Sequence, residues 1–410
     1  MKQKLSSCAA AFLCLVLLSC AAAAGLPAIP DAGRAALSDF LRESVARGDV
    51  PALVALVANR DTVLFLDGAG KRDVANNAPI AADTIFRIAS MTKPITSLGV
   101  MMLYEEGKIG LDDPVTKYLP EFEHVRVLTR FDSADGTYDT RPPARPITIR
   151  HLLTHTSGIG YAFSDARLAK IDDGKKTVAD LPLLHDPGDK FTYGQNTAVL
   201  GRVVEKVAGQ PLDAFLRARI FTPLDMRDTF FAVPADKIHR VVTVHGKTAG
   251  VLAERPNPST VESPVRGDGG LFSTARDYGT FLQLFLNGGH RGATRLVSEA
   301  SIRLMTSNQI GRVVVEQQPA ADVARTAPFP LGAGKDKFGL GFQIESAPVA
   351  DRGLRSEGSY SWGGINNTHF WVDPQKAVAA VVLMQVLPFY DESCIKVLRG
   401  FERITYQELR

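Results

Sequence analysis

The sequence predicts an α+β fold: an antiparallel sheet flanked by helices, with a mainly helical domain inserted into it. Three observations carry this prediction. Near the start of the chain, two β-branched, apolar runs, Ala52 to Ala58 and Thr62 to Leu66, flank Asn59-Arg60-Asp61 and read as a hairpin. From Asp112 to Val261 the pattern is one of helices and loops, with few alternating strands. Strands then return at Phe338 to Ile344, Ser359 to Trp362, Thr368 to Val372 and Ala377 to Gln385. A chain that begins and ends in strands closes most simply as one sheet built from both ends. The expected division is a sheet domain from 36–111 and 262–410, with a helical insert over 112–261. A crevice between two such parts is a usual place for a site.

Residues 1–24 carry the marks of an export signal, and 25–35 read as a tether. Lys2 and Lys4 form a positive start, Ala9 to Leu18 an apolar run too short for a membrane span, and Ala21 to Ala24 a small-residue cleavage region. The expected destination is outside the cytoplasm, periplasmic or secreted. Two processing routes stay open. Leu17-Leu18-Ser19-Cys20 resembles a bacterial lipobox, in which Cys20 is lipidated; the alternative is plain cleavage after Ala24. Membrane contact is expected only through such a lipid. Either route leaves Cys394 as the one cysteine of the body, so no internal disulfide forms and stability rests on the core. Cys394 reads as a small buried apolar residue.

Asp31 is expected to cap an amphipathic helix with Leu37, Phe40, Leu41 and Val45 on one stripe, ending near Gly48. After Gly68 and Gly70 a polar excursion leads to Thr84-Ile85-Phe86-Arg87. The next helix carries Leu98, Met101, Met102 and Tyr104, stops at Gly107, and holds Pro94 in its first turn, where proline costs least. Arg130 to Pro146 is polar, with Gly136 and three prolines, and reads as a surface loop. Thr148 caps a short helix on which His151 and His155 have the i, i+4 spacing of a metal pair. No third ligand stands at a signature distance and there is no H-E-x-x-H, so both histidines read as structural and no metal is expected. Pro187-Gly188 delivers the loop Phe191 to Asn196. Leu200 to Val207, closed by Gly209, and Leu212 to Ile220 are helical. At Gly267-Asp268-Gly269-Gly270-Leu271 the pattern changes; helices follow at Thr274 to Asn287 and at about Tyr390 to Tyr406.

A net charge of +3 with no basic stripe argues against nucleic acid and for a small-molecule partner. Nothing calls for a nucleotide, flavin or other cofactor. The chemistry concentrates at Ser90-Met91-Thr92-Lys93. Three residues are nearly one helical turn, so hydroxyl and amine project from one face. A lysine held there can take the serine proton, and the helix N-terminus favours an oxyanion. The plain alternative is an N-cap serine followed by a surface lysine.

Two further patterns follow in order, Tyr193-Gly194-Gln195 and Trp362-Gly363-Gly364, the latter on a C-terminal strand. Supporting stretches are His151 to Gly158, Gly269 to Thr274 and Phe370 to Pro374. In this order they resemble the serine β-lactamase/penicillin-binding-protein superfamily, in its class C-like branch and most like the family VIII carboxylesterases and related acyltransferases. The resemblance covers residues 35–405 and implies a β-lactamase/transpeptidase-like fold. It implies Ser90 as the acylated nucleophile, Lys93 as the group that helps deprotonate it, and Tyr193 as a base near the hydroxyl. It also implies an oxyanion hole from the backbone N–H groups of Ser90 and Ile365, with Gln195, Trp362, Gly363 and Gly364 against the substrate.

Two positions depart from the β-lactamase pattern. Gln195 stands where asparagine is usual. Trp362 replaces the strand lysine that holds a substrate carboxylate, as in the esterases, and an indole offers apolar area and one N–H instead. The chain has no G-x-S-x-G, which argues against an α/β-hydrolase. The expected activity is that of an exported serine hydrolase cleaving carboxylic esters, with a small-molecule ester or amide as substrate. The alternatives are a β-lactamase or D,D-peptidase, an acyltransferase using the same acyl-enzyme, and a non-catalytic binding or sensor domain.

Overall fold

The computed structural model describes residues 25–346 and 355–410. The expected signal, Cys20 and the cleavage region after it lie outside the described residues. Helix α1 spans Asp31–Ala46, and the hairpin of β1 (Ala52–Asn59) and β2 (Val63–Asp73) follows, with a short β3 at Ala78–Pro79. Helix α2 covers Thr92–Glu105, α3 Asn196–Ala208 and α4 Ala275–Leu286. The C-terminal part supplies β4 (Lys337–Phe338), β5 (Gln343–Ile344), β6 (Tyr360–Gly364), β7 (Thr368–Asp373), β8 (Val378–Leu383) and α5 (Glu392–Glu408).

These strands form one sheet in the order β4-β5-β6-β7-β8-β1-β2-β3, every pairing antiparallel. The N-terminal hairpin thus joins the C-terminal strands through β1 and β8, with Leu56 opposite Val381. All residues of β1 are buried because helices cover both sheet faces, which is why its sequence is apolar from Ala52 to Ala58. On one face Leu53, Val57, Trp371 and Val382 pack with Leu37 and Leu41 of α1 and Val397 and Phe401 of α5. On the other, Val54, Leu56, Phe370 and Val381 meet Ile95 and Leu98 of α2 and Phe281 and Phe285 of α4. Helix α2 is buried from Thr92 to Leu103, so it lies inside the protein rather than on it.

Several local expectations need correction. Asp31 is the first helical residue and not the cap: Pro30 holds that place in an extended conformation, and no side chain caps the end. The expected polar excursion after Gly70 is the continuation of β2 to Asp73. The expected loop at 130–146 contains a hairpin, Val127–Phe131 with Tyr138–Arg141. Its side chains are largely exposed, so no apolar alternation betrays it. A second hairpin, Val244–Thr248 with Val251–Arg255, lies in the stretch expected to be helical and pairs with Val386–Leu387. The helix expected over 212–220 changes at Arg217 into a π-type turn.

Thr148 caps Ile149–Leu153 as expected, and His151 completes a reciprocal capping box with it. His151 is therefore structural, and no cluster of metal-binding side chains occurs among the described residues. Cys394 is fully buried, and burial pushes its thiol up. The α5 face of the core makes a direct prediction. Phe401→Ala, at a fully buried ring packed on Phe65 and Trp371, lowers unfolding free energy by about 3–5 kcal/mol in urea titration.

Candidate active site

Ser90 sits in a 3₁₀ turn, Ala89–Met91, that runs directly into α2. The preceding Ala89 has φ +46°, a left-handed backbone that a non-glycine residue adopts at a cost of about 1–3 kcal/mol. The flanking structure holds it there. Ile88 N–H donates to Leu271 O at 3.0 Å, and Ile88 O accepts from Thr368 Oγ1 at 3.3 Å. Strand β6 crosses the same carbonyl so closely that a Cβ on Gly364 would stand 2.3 Å from Ile88 O. Only glycine lets the strand approach the segment that leads into Ser90 in this way. Below, the Tyr278 hydroxyl donates to Met91 O at 2.9 Å.

Lys93 is 2% exposed. Burying an ammonium is costly unless its donors are satisfied. Lys93 Nζ donates to Ser90 Oγ at 3.1 Å, Tyr161 OH at 3.2 Å and the backbone oxygen of Asp268 at 2.7 Å. Tyr161 OH in turn donates to Asp268 Oδ2 at 2.5 Å. The Asp268 carboxylate also takes Arg266 Nε at 3.0 Å and Nη2 at 2.9 Å. Although burial opposes its charge, Lys93 and Arg266 hold the Asp268 carboxyl below its ordinary range. Burial and the neighbouring Asp268 push the Tyr161 phenol well above its own.

Tyr193 is buried beside this cluster, with Lys93 Nζ 4.7 Å from its ring centre. Its backbone N–H donates to Gln318 Oε1 at 3.0 Å, while its hydroxyl is buried without a hydrogen-bond partner. The Tyr161 and Tyr193 rings are 5.3 Å apart. Gly194 lets the loop press on its neighbour: a Cβ there would lie 2.0 Å from Ile159 O. Asn196 faces inward and braces the turn before Tyr161, through His155 Nδ1 at 3.0 Å, Ile159 O at 3.3 Å and the Ser157 hydroxyl. Gln195 instead lines the cavity and accepts from Arg266 Nη2 at 3.0 Å. His155 packs against Tyr193 at 4.9 Å and Trp362 at 6.5 Å; burial and the Lys93 cation push its pKa well down.

Ser90, Tyr193, Gln195, Trp362, Gly363 and Ile365 all line one cavity of about 520 Å³. Gly364, though expected against the substrate, faces Ile88 beneath it. Phe163, Phe329, Trp362, Phe389 and Tyr390 give the cavity an aromatic wall, and Arg266, Arg325 and Arg355 with Glu345 and Glu402 line it as well. His369 also lines it, behind Gly363; burial pushes its imidazole down to about 3. Sequence reasoning missed Tyr161, Arg266 and the role of Asp268. An acid inside the glycine run 267–270 and a tyrosine directly after Gly158-Ile159-Gly160 were the available signals.

The Beta-lactamase family model matches residues 37–399. Esterase EstB of Burkholderia gladioli is 31% identical over 353 residues, covering 80% of this chain and 84% of that protein. Protein Rv1367c of Mycobacterium tuberculosis is 35% identical over 367 residues, covering 85% and 89%. Among solved structures, unliganded simvastatin synthase LovD of Aspergillus terreus superposes with a TM-score of 0.78 at 25% identity, covering 92% of this chain and 98% of LovD. EstCE1, a hydrolase with promiscuous acyltransferase activity, gives 0.72 at 26% identity, covering 91% and 99%. The α+β architecture, the serine turn opening a buried helix and these matches agree: the chain belongs to the β-lactamase family and is a serine hydrolase.

Proposed function

We propose that this protein cleaves carboxylic esters through an acyl-enzyme on Ser90. The observation that carries the reading is the 3.1 Å contact between Ser90 Oγ and Lys93 Nζ beside an aromatic cavity. Ser90 Oγ attacks the ester carbonyl carbon and its proton passes to the Lys93–Tyr193 pair. The carbonyl oxygen becomes an oxyanion, facing the backbone N–H groups of Ser90 and Ile365. The bond from carbon to the alcohol oxygen then breaks, and the leaving alkoxide takes the proton. Water, or a second alcohol, attacks the acyl-enzyme with its proton going to the same pair, and Ser90 recovers its own.

The aromatic walls and Trp362 suit an apolar acyl or alcohol group, and no lysine stands at the strand position to hold a substrate carboxylate. Relatives named as esterase and as acyltransferase support both fates of the acyl group. Lys2, Lys4 and the apolar run after them support export, with Cys20 as a lipid attachment point in one of the two processing routes. The small-molecule ester is the proposed partner, with no nucleic acid.

Fluorophosphonate labelling read by mass spectrometry tests the nucleophile: wild type gains one adduct and Ser90→Ala none. Labelling that persists in Ser90→Ala rejects the assignment. Parallel turnover of p-nitrophenyl butyrate and a chromogenic cephalosporin tests the substrate class, with ester turnover expected to exceed lactam turnover. The reverse order overturns the argument from Trp362. Tyr193→Phe lowers kcat by about 10²–10⁴-fold with KM little changed, because it removes proton transfer rather than contact. A rise in KM at constant kcat contradicts that role.

A further inference from the structure

Lys93 has three oxygen partners, and they differ in what they can give back. The Asp268 backbone oxygen only accepts. A hydroxyl both donates and accepts, but Tyr161 OH points its single proton at Asp268 Oδ2, 2.5 Å away, and so presents a lone pair to Lys93. Two of the three partners therefore require N–H from Lys93 in every protonation state. An ammonium has a third N–H to give to Ser90 Oγ; a neutral amine has a lone pair there instead. The only position on Nζ that changes between acid and base is the one facing the nucleophile.

We propose that Asp268 is a positioning residue that aims the basic lone pair of Lys93 at Ser90, using its carbonyl directly and its carboxylate through Tyr161. Arg266 fixes the carboxylate from the far side with two bonds, and Gln195 Oε1 holds Arg266 in turn. The Asp268 side chain is 4% exposed, so water does not compete for its oxygens. The backbone is equally constrained. Gly267 packs so tightly on α3 that a Cβ there would stand 2.3 Å from Thr197 O, and Gly267 O accepts from Thr96 Oγ1 of α2 at 2.8 Å.

This arrangement divides the labour of the two tyrosines. With its proton held by a carboxylate and its oxygen occupied by Lys93, Tyr161 is bound at both functions and does not serve as the base. Tyr193, whose buried hydroxyl has no hydrogen-bond partner among the described residues, is the phenol left uncommitted beside Lys93. In acylation the Ser90 proton moves to Lys93 Nζ as Oγ bonds to the carbonyl carbon; the new N–H points back at Oγ and no other bond in the network changes. The inference rests on the ester-hydrolase reading for its substrate, but not for its readout, since phosphonylation of Ser90 needs the same deprotonation.

The groups facing Lys93 are Ser90, Tyr161, Tyr193, Asp268 with Arg266 behind it, and His155. Asp268 contributes the negative charge among them. Asp268→Asn removes that charge and turns one amide N–H₂ against Arg266. It is expected to slow Ser90 phosphonylation and kcat for p-nitrophenyl butyrate at least tenfold, with KM within about threefold of wild type. Withdrawing the anion also disfavours the ammonium, so the acid limb of the kcat/KM profile moves to lower pH. Tyr161→Phe, which keeps the carboxylate, lowers both rates in the same sense, and the double variant is no slower than the slower single one.

Wild-type rates and an unmoved acid limb in Asp268→Asn overturn the proposal. If that variant melts far below wild type, Tyr161→Phe decides: unchanged phosphonylation in a folded Tyr161→Phe overturns it as well. Wild-type labelling without ester turnover rejects the substrate reading, while the labelling rates of the variants still test the network. A wild-type Ser90 that does not label rejects both.

Discussion

A lysine amine buried to 2% exposure sets the terms for this fold. An exposed lysine satisfies its donors with water; this one must find oxygen on the protein, within about 3 Å and in three directions. One partner lies in the turn that opens its own helix, but the others lie 68 and 175 residues further along the chain. The segments carrying Tyr161 and Asp268 must therefore both come against the start of α2 before the amine is stable in its place. The hydrophobic packing of α2 against the sheet supplies the stability that this burial consumes. Core and chemistry are built from the same helix.

Close backbone approach is the second requirement, and glycine meets it at three points. Gly364 admits Ile88 O beside β6, Gly194 admits Ile159 O, and Gly267 admits Thr197 O. Each contact draws together two of the segments that carry Ser90, Tyr161, Tyr193, Trp362 and Asp268. These glycines act as spacers of zero thickness between pieces of main chain that ordinary residues would hold apart.

What could be read from the sequence follows from the range of each signal. The sheet from both ends was legible because its two central strands, β1 and β8, are buried on both faces and almost wholly apolar. Ser90 and Lys93 were legible as a pair because one helical turn joins them. Tyr193 and Trp362 stood out through short patterns in a fixed order. Tyr161 and Asp268 share a hydrogen bond across 107 residues, and neither carries a pattern that announces the other. Gln195 looked like an imperfect substitute for asparagine until its bond to Arg266 gave it a partner of its own. The exposed hairpins within 112–261 were invisible for the opposite reason: strands that bury little leave no alternation.

His155, packed on Tyr193 and Trp362, and His369, in the cavity wall, are both pushed toward the neutral form by burial and a nearby cation. Histidine is ordinarily the side chain that changes charge between mild acidity and neutrality, and its titration often overlays that of the reacting groups. Here it is silent across that interval. The cavity therefore keeps a constant histidine background as the medium acidifies, and a rate lost on acidification is not the charging of either imidazole.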